Sequence, residues 1–253
     1  MWMSDVTGGV EVDLATAVIE HRMGSGEADV RSASQVSDTV LLEAVPWRTF
    51  RFYQGQRHYS GKYWAATERD HVIYESRLEL SSLLLADFDP AVTRVVAQPF
   101  RLSAVVNGRL RRHIPDFLWG SGVGLTVVDV VRAQRLAENP KIQMLCEWTR
   151  EVLEALGWEY RVLSEQPPIL LGNVRFLAGY RREQYVDQRS LDRIRCAMDG
   201  LGGLRLDDAE RRVAATGPSL RMRNALMHLL WKQEIVVDLA TPLRPSSVLE
   251  VRR

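Results

Sequence analysis

"RLSAVVNGRLRRHIPDFLWGSGVGLTVVDVVRAQ" occupies residues 101–134, and its reading decides the fold. Asn107-Gly108 is a two-residue turn signal between extended runs, so 101–119 reads as a β-hairpin with Asp116 late in its second strand. Leu125, Val127, Val128, Val130 and Val131 are apolar and mostly β-branched, so 124–131 reads as the next strand. One carboxylate, Asp129, stands inside that strand. A charge in a sheet interior is costly unless something pairs with it or coordinates it. Arg132 follows three positions later, yet side chains alternate along a strand. Asp129 and Val131 therefore share one face, and Arg132 points to the other unless the strand bulges.

Further elements extend this core on both sides. "IYESRLELSSLLLADF" spaces its leucines as a helix that "DFDP" ends, and "TRVVAQPF" is a short strand. "NPKIQMLCEWTREVLEALG" is a helix stopped at Gly157. "WEYRVLS" is a strand and "ILLGNVRFLAGYRR" a helix. The order α-β-β-β-α-β-α predicts an α/β fold, a mixed sheet flanked by helices. After residue 183 come three helices ("DQRSLDRIRCAMDGL", "LDDAERRVAA", "GPSLRMRNALMHLLWKQ") and two short strands, the layout of a winged helix.

Residues 1–45 carry two arginines against eight acids and are rich in Gly, Ser and Ala. They read as a partly disordered acidic leader, with a short helix near "DLATAVIEH". "PWRTFRFYQGQRHYSGKYWAAT" (46–67) interleaves aromatic and basic residues without clean periodicity. It reads either as a surface that stacks on bases and touches phosphates or as an irregular arm on the core. The expected division is a leader at 1–45, an α/β domain with its arm at 46–182, and a winged-helix-like domain at 183–253.

Net charge is +1, but the leader is acidic and the remainder basic, which is compatible with nucleic-acid binding. Candidate DNA contacts are Arg48, Arg51, Arg57 and Lys62 in the arm, Arg111 and Arg112 in the hairpin, and Arg221 and Arg223 on the last helix. Two cysteines, Cys146 and Cys196, make neither a disulfide framework nor a metal cluster. No apolar run approaches the roughly 20 residues of a membrane span, and no signal-peptide pattern opens the chain. The expected location is the cytoplasm.

The chemistry lies in carboxylates. Glu75 and Glu79 are one helical turn apart on one face. Asp116 and Asp129 can face each other if their strands pair. Carboxylates that close cannot all stay ionised without a cation. Oxygen-only ligands suit Mg2+ or Mn2+, and such an ion activates water and stabilises charge on a phosphate. Taken singly, each acid also reads as bland: Asp129 as exposed or salt-bridged, Glu75 and Glu79 as a solvated helix face with Arg77, and Asp116 after Pro115 as a turn residue.

The ordered set helix Glu, strand Asp, next-strand Asp resembles the PD-(D/E)xK nuclease superfamily. Within it the chain is similar to TnsA, the endonuclease subunit of heteromeric transposases. "ESRLEL" (75–80), "VVAQPF" (95–100), "HIPDFLW" (113–119), "VVDVVRA" (127–133) and "NVRFLAGYRR" (173–182) carry that resemblance. It implies a restriction-endonuclease-like fold and Mg2+-dependent cutting of double-stranded DNA at transposon 5′ ends. It also implies a DDE transposase partner (TnsB-like) and an AAA+ regulator (TnsC-like). Carried over by position, Glu79, Asp116 and Asp129 are catalytic and bind metal, with the backbone carbonyl of Val130 as a further ligand. Gln98 matches the family's strand glutamine.

The departure is Val131, where the family places a lysine. Arg132 and Gln134 are auxiliary candidates, as is Glu75; Lys62 or Lys141 could supply the missing cation from elsewhere. Arginine would be a poor general base because it keeps its proton. Three readings stay open: an active transposase endonuclease subunit, a catalytically weakened DNA-binding or assembly subunit, and a stand-alone restriction- or repair-type nuclease.

Overall fold

The computed structural model describes residues 9–48 and 59–252. The chain falls into two compact units: residues 1–82 with 91–165, and residues 83–90 with 166–253.

The first unit begins with β1 (Val12–Arg22), β2 (Ala28–Ser32), the short helix α1 (Asp38–Leu42) and the hairpin strands β3 (Gly61–Ala65) and β4 (Asp70–Tyr74). Helix α2 (Arg77–Phe88) follows, and the division between units passes through it. Then come β5 (Val92–Ala97), β6 (Phe100–Val106), β7 (Arg109–His113), β8 (Phe117–Ser121) and β9 (Gly124–Val130). Helices α3 (Ala133–Glu138) and α4 (Pro140–Ala155) lead to β10 (Glu159–Leu163).

These strands form two four-stranded sheets, ordered β2-β1-β6-β7 and β10-β9-β8-β5, beside the two-stranded β3-β4. Among the described residues only β9 and β10 pair in parallel, and α3 with α4 makes the long connection that a parallel pair requires. Ile19, Phe100, Leu102, Leu118, Val127, Trp148 and Leu153 are buried together in one core. Burying a side chain of this size contributes about 1.5–3 kcal/mol.

The predicted hairpin at Asn107-Gly108 is present. Both turn residues have positive φ, 50° and 70°, the requirement of a type I′ turn. The second strand, however, stops at His113 and does not reach Asp116. Pro115 removes a backbone donor, and the chain crosses to the other sheet as β8. Asp116 thus sits at a corner between sheets. Gln98-Pro99 makes the matching corner between β5 and β6, with Gln98 in the left-handed region at φ 47°.

The expected leader at 1–45 is corrected. Residues 12–22, read as a short helix, are an 11-residue strand paired to both β2 and β6. Ala17, Ile19 and His21 are buried at alternate positions, a period of two that acidic composition obscured. Part of the expected arm, 61–65, is the ordered strand β3. Arg51 and Arg57 lie outside the described residues.

The second unit contains α5 (Pro168–Leu177), α6 (Gln188–Cys196), α7 (Leu206–Ala214), α8 (Ser219–Trp231) and the antiparallel pair β11 (Ile235–Val237) and β12 (Leu249–Val251). A boundary after residue 182 is therefore displaced: α5 belongs here. The reason is Asn173, whose amide donates to the carbonyls of Leu239 (2.9 Å) and Thr241 (2.7 Å). Its side-chain oxygen accepts from Leu243 N–H at 3.0 Å. One buried asparagine thus satisfies three backbone groups of the connection between β11 and β12. Among the described residues no helix is long and apolar enough to cross a membrane.

Candidate active site

The register of β8 on β9 pairs Phe117 with Val128, which leaves Asp116 and Asp129 opposite each other one step further on. Each carboxylate then closes the other's backbone. Asp116 N–H donates to Asp129 Oδ1 at 3.3 Å, and Val130 N–H donates to Asp116 Oδ2 at 2.7 Å. Gln98 joins the same corner, donating its N–H to the Asp116 carbonyl at 2.8 Å.

Glu79 arrives from the start of α2. Ser76 precedes the helix and its Oγ accepts Glu79 N–H at 3.1 Å, while Glu79 Oε2 accepts Glu75 N–H at 2.7 Å. This is a capping-box arrangement, so one Glu79 oxygen has a structural task. The helix N-terminus also favours its negative charge. Glu75 is tied to Gln98, whose amide donates to Glu75 Oε1. Gln98 Oε1 in turn accepts Arg48 N–H at 3.0 Å. Gln98 therefore links the residues leading into α2, the corner at Asp116 and residue 48.

Burial, then the charges of Asp129, Glu79 and Glu75, hold the Asp116 carboxyl well above the usual carboxylate range. Burial likewise raises the Glu79 carboxyl. Among the described residues no lysine or arginine pairs with Glu79, Asp116 or Asp129; Arg48 reaches only Glu75, at 3.9 Å. Among the described residues this is a carboxylate cluster without a lysine or arginine partner.

Asp129 is 3% exposed and is held by two side chains that the sequence reading missed. His113 Nε2 lies 2.7 Å from Asp129 Oδ2, and Tyr160 O–H donates to the same oxygen at 2.5 Å. Burial and the Asp129 charge push the Tyr160 phenol far up, so it stays a donor. The His113 ring meets Trp148 edge-on, centroids 6.4 Å apart. His113 comes from the end of β7 in the other sheet, and Tyr160 from β10 through the parallel pairing. The only local signal was the spacing of His113 three residues before Asp116.

Other expected residues lie elsewhere. Arg132 lies past the end of β9, at the start of α3, pairs with Glu165 (3.8 Å) and is 75% exposed, so it is not a partner of Asp129. Gln134 donates to Glu138 at 3.2 Å on the surface of α3, away from a catalytic role. Val130 ends β9 beside Asp116. Val131 carries the pairing one residue further, its N–H on Leu163 O at 2.8 Å and its carbonyl accepting Ser164 O–H at 2.8 Å. Lys62 and Lys141 are exposed on β3 and α4. Arg112 is exposed on β7, and Arg111 is half-buried with its Nε unpartnered. Arg221 and Arg223 are engaged within their own unit. Arg221 lies 3.8 Å from Asp187; Arg223 lies 3.1 Å from Glu210 and donates to the Tyr180 hydroxyl at 2.9 Å.

Among the described residues no group of three or more His, Cys, Asp and Glu side chains is closed up as a metal site. The donor set still fits a hard divalent ion: it is all carboxylate oxygen, buried, mutually repelling and short of positive charge. Repelling carboxylates stand apart until a cation offsets them, so the electrostatics decide the fit here. Compared with protein-family models and with curated proteins, the chain has no match.

Proposed function

We propose that this chain is a metal-dependent DNA endonuclease subunit of a TnsA-like transposase. On this reading the first unit is a restriction-endonuclease-like domain, and α6, α7, α8 with β11 and β12 are a winged-helix-like domain. The observation that carries the reading is the Asp116–Asp129–Glu79 corner, where burial pushes the Asp116 and Glu79 carboxyls above the usual carboxylate range and, among the described residues, no lysine or arginine pairs with these three acids.

Asp116 and Asp129 would hold the ion from paired strand ends, and Glu79 from the start of α2, with the Val130 carbonyl as a further ligand. Mg2+ or Mn2+ held there would supply positive charge to the phosphate and would lower the pKa of the attacking water. His113 and Tyr160 fix the Asp129 carboxylate and leave Oδ1 to face Asp116. Supports of this kind orient metal ligands and tune their basicity. Gln98 holds Glu75 and the chain at Arg48 in register with Asp116.

Double-stranded DNA is the substrate, a TnsB-like DDE transposase joins the 3′ ends, and a TnsC-like AAA+ regulator is the second partner. The cytoplasm is the proposed location. A weakened, assembly-type subunit is favoured by one observation: Val131 replaces the family lysine, and Lys62 and Lys141 are exposed elsewhere. A nicking assay on transposon-end DNA with Mg2+ or Mn2+ and the partner transposase separates the two. Cleavage lost in Asp116→Ala and Asp129→Ala supports the enzyme. Equal cleavage by wild type and both variants would sink it, and cleavage without the partner would point to the stand-alone nuclease.

A further inference from the structure

Two arginines and a tryptophan that the acid corner does not use gather around the segment that Gln98 fastens. Trp47 N–H donates to the Gln98 carbonyl at 3.1 Å, and Val45 N–H to the Arg22 carbonyl at 2.9 Å. Residues 45–48 are thus laced between the end of β1 and the corner after β5. The guanidinium carbons of Arg22 and Arg101 lie 4.8 and 4.9 Å from the Trp47 ring centroid. The register of β1 on β6 pairs Glu20 with Arg101 and His21 with Phe100. Arg22 and Arg101 therefore rise from the sheet face opposite the buried His21, Phe100 and Leu102.

The charges do not cancel. Glu20 pairs with Arg101, and among the described residues no carboxylate pairs with Arg22. The Nε atoms of both arginines are buried and have no hydrogen-bond partner. An indole attracts a guanidinium and fixes its plane, so one ring holds two like charges close together. Such a pair presents flat, preorganised forks that match a phosphate. Its backbone anchor, Gln98, is the residue that also bonds the Asp116 carbonyl.

We propose that Arg22, Trp47 and Arg101 form a clamp for a phosphate of the DNA backbone, placing the strand beside the acid corner; this rests on the nuclease reading of that corner. Arg22 lies in the segment whose composition is most acidic, so sequence charge alone pointed away from it.

The test uses the full chain and a short linear duplex in Ca2+, with affinity measured against salt. Arg22→Gln and Arg101→Gln each weaken binding about tenfold and each lower the salt slope by about one. Glu20→Gln, which removes the carboxylate competing for Arg101, tightens binding several-fold, a gain that misfolding cannot imitate. The same proteins are melted with and without Mg2+. Arginine variants that bind as wild type, a Glu20→Gln that fails to tighten, or a wild type that does not bind duplex at all would each overturn the clamp. If these failures come with an intact Mg2+ stabilisation, the clamp falls and the nuclease reading stands. If Mg2+ stabilises nothing while the variants lose DNA as stated, the clamp stands and the nuclease reading falls.

Discussion

The acid corner of the first unit and the ion pairs of the second use charged residues in opposite ways. In the second unit Arg195 pairs with Glu234 at 2.7 Å, Arg223 with Glu210 at 3.1 Å, and Arg211 with Asp208. Asn173 has three backbone partners. Burial is light around most of these charges, and opposite charges answer them. In the first unit Asp116 feels the charges of Asp129 and Glu79, no lysine or arginine among the described residues pairs with the three, and burial raises the Asp116 and Glu79 carboxyls. Paired charge on a surface stabilises little and does structural work. Like charge buried together is destabilising, and a fold keeps it where a cation or a reaction uses it.

Substitutions sharpen that contrast. Asp129→Asn and Asp116→Asn lower Mg2+-dependent cleavage most, by roughly 10³-fold, since several kcal/mol of transition-state stabilisation depend on them. Single-turnover cleavage with the partner transposase reads this. His113→Ala and Tyr160→Phe, which touch only Asp129, cost about 10–100-fold in cleavage or Mg2+ affinity. Titrating Mg2+ separates the two, because a support that orients the ligand shifts the Mg2+ midpoint. In the second unit Asn173→Ala costs about 1–3 kcal/mol by leaving three backbone groups unsatisfied, measured by urea unfolding. Glu234→Gln costs at most about 1 kcal/mol. A second-unit charge whose loss abolished cleavage outright would break the comparison.

Local pattern made much of this legible. The Asn107-Gly108 turn, the β9 strand, α4 ending before Gly157 and the α6–α8 helices followed from turn residues and periodicity. Arg132 is apart from Asp129, as expected, but because β9 ends at Val130 and Arg132 opens α3. Strand β1 was hidden because a Gly, Ser and acid-rich composition spoke for disorder while its alternation of Ala17, Ile19 and His21 was weak. Asp116 at a corner was not legible, because leaving one sheet for another at Pro115 is a tertiary event. His113 and Tyr160 were missed for the same reason: one is supplied across sheets and the other through a parallel crossover. Nor did sequence show that Glu79 caps its own helix, since Ser76-x-x-Glu79 reads equally as a cap and as a ligand.

The central claim, that the acid corner is built for a cation, is tested most directly by thermal midpoints in EDTA and in Mg2+ across pH. A carboxyl whose folded pKa is raised stabilises the fold below its unfolded pKa and loses that contribution as pH rises through the folded one. In EDTA the midpoint therefore falls as pH climbs from the ordinary carboxylate range toward neutrality and beyond, and Mg2+ restores it. Asp116→Asn keeps the acceptor for Val130 N–H, raises the neutral-pH midpoint in EDTA and reduces the Mg2+ response. A wild-type midpoint that is flat with pH, unmoved by Mg2+ and lowered by Asp116→Asn would contradict the account.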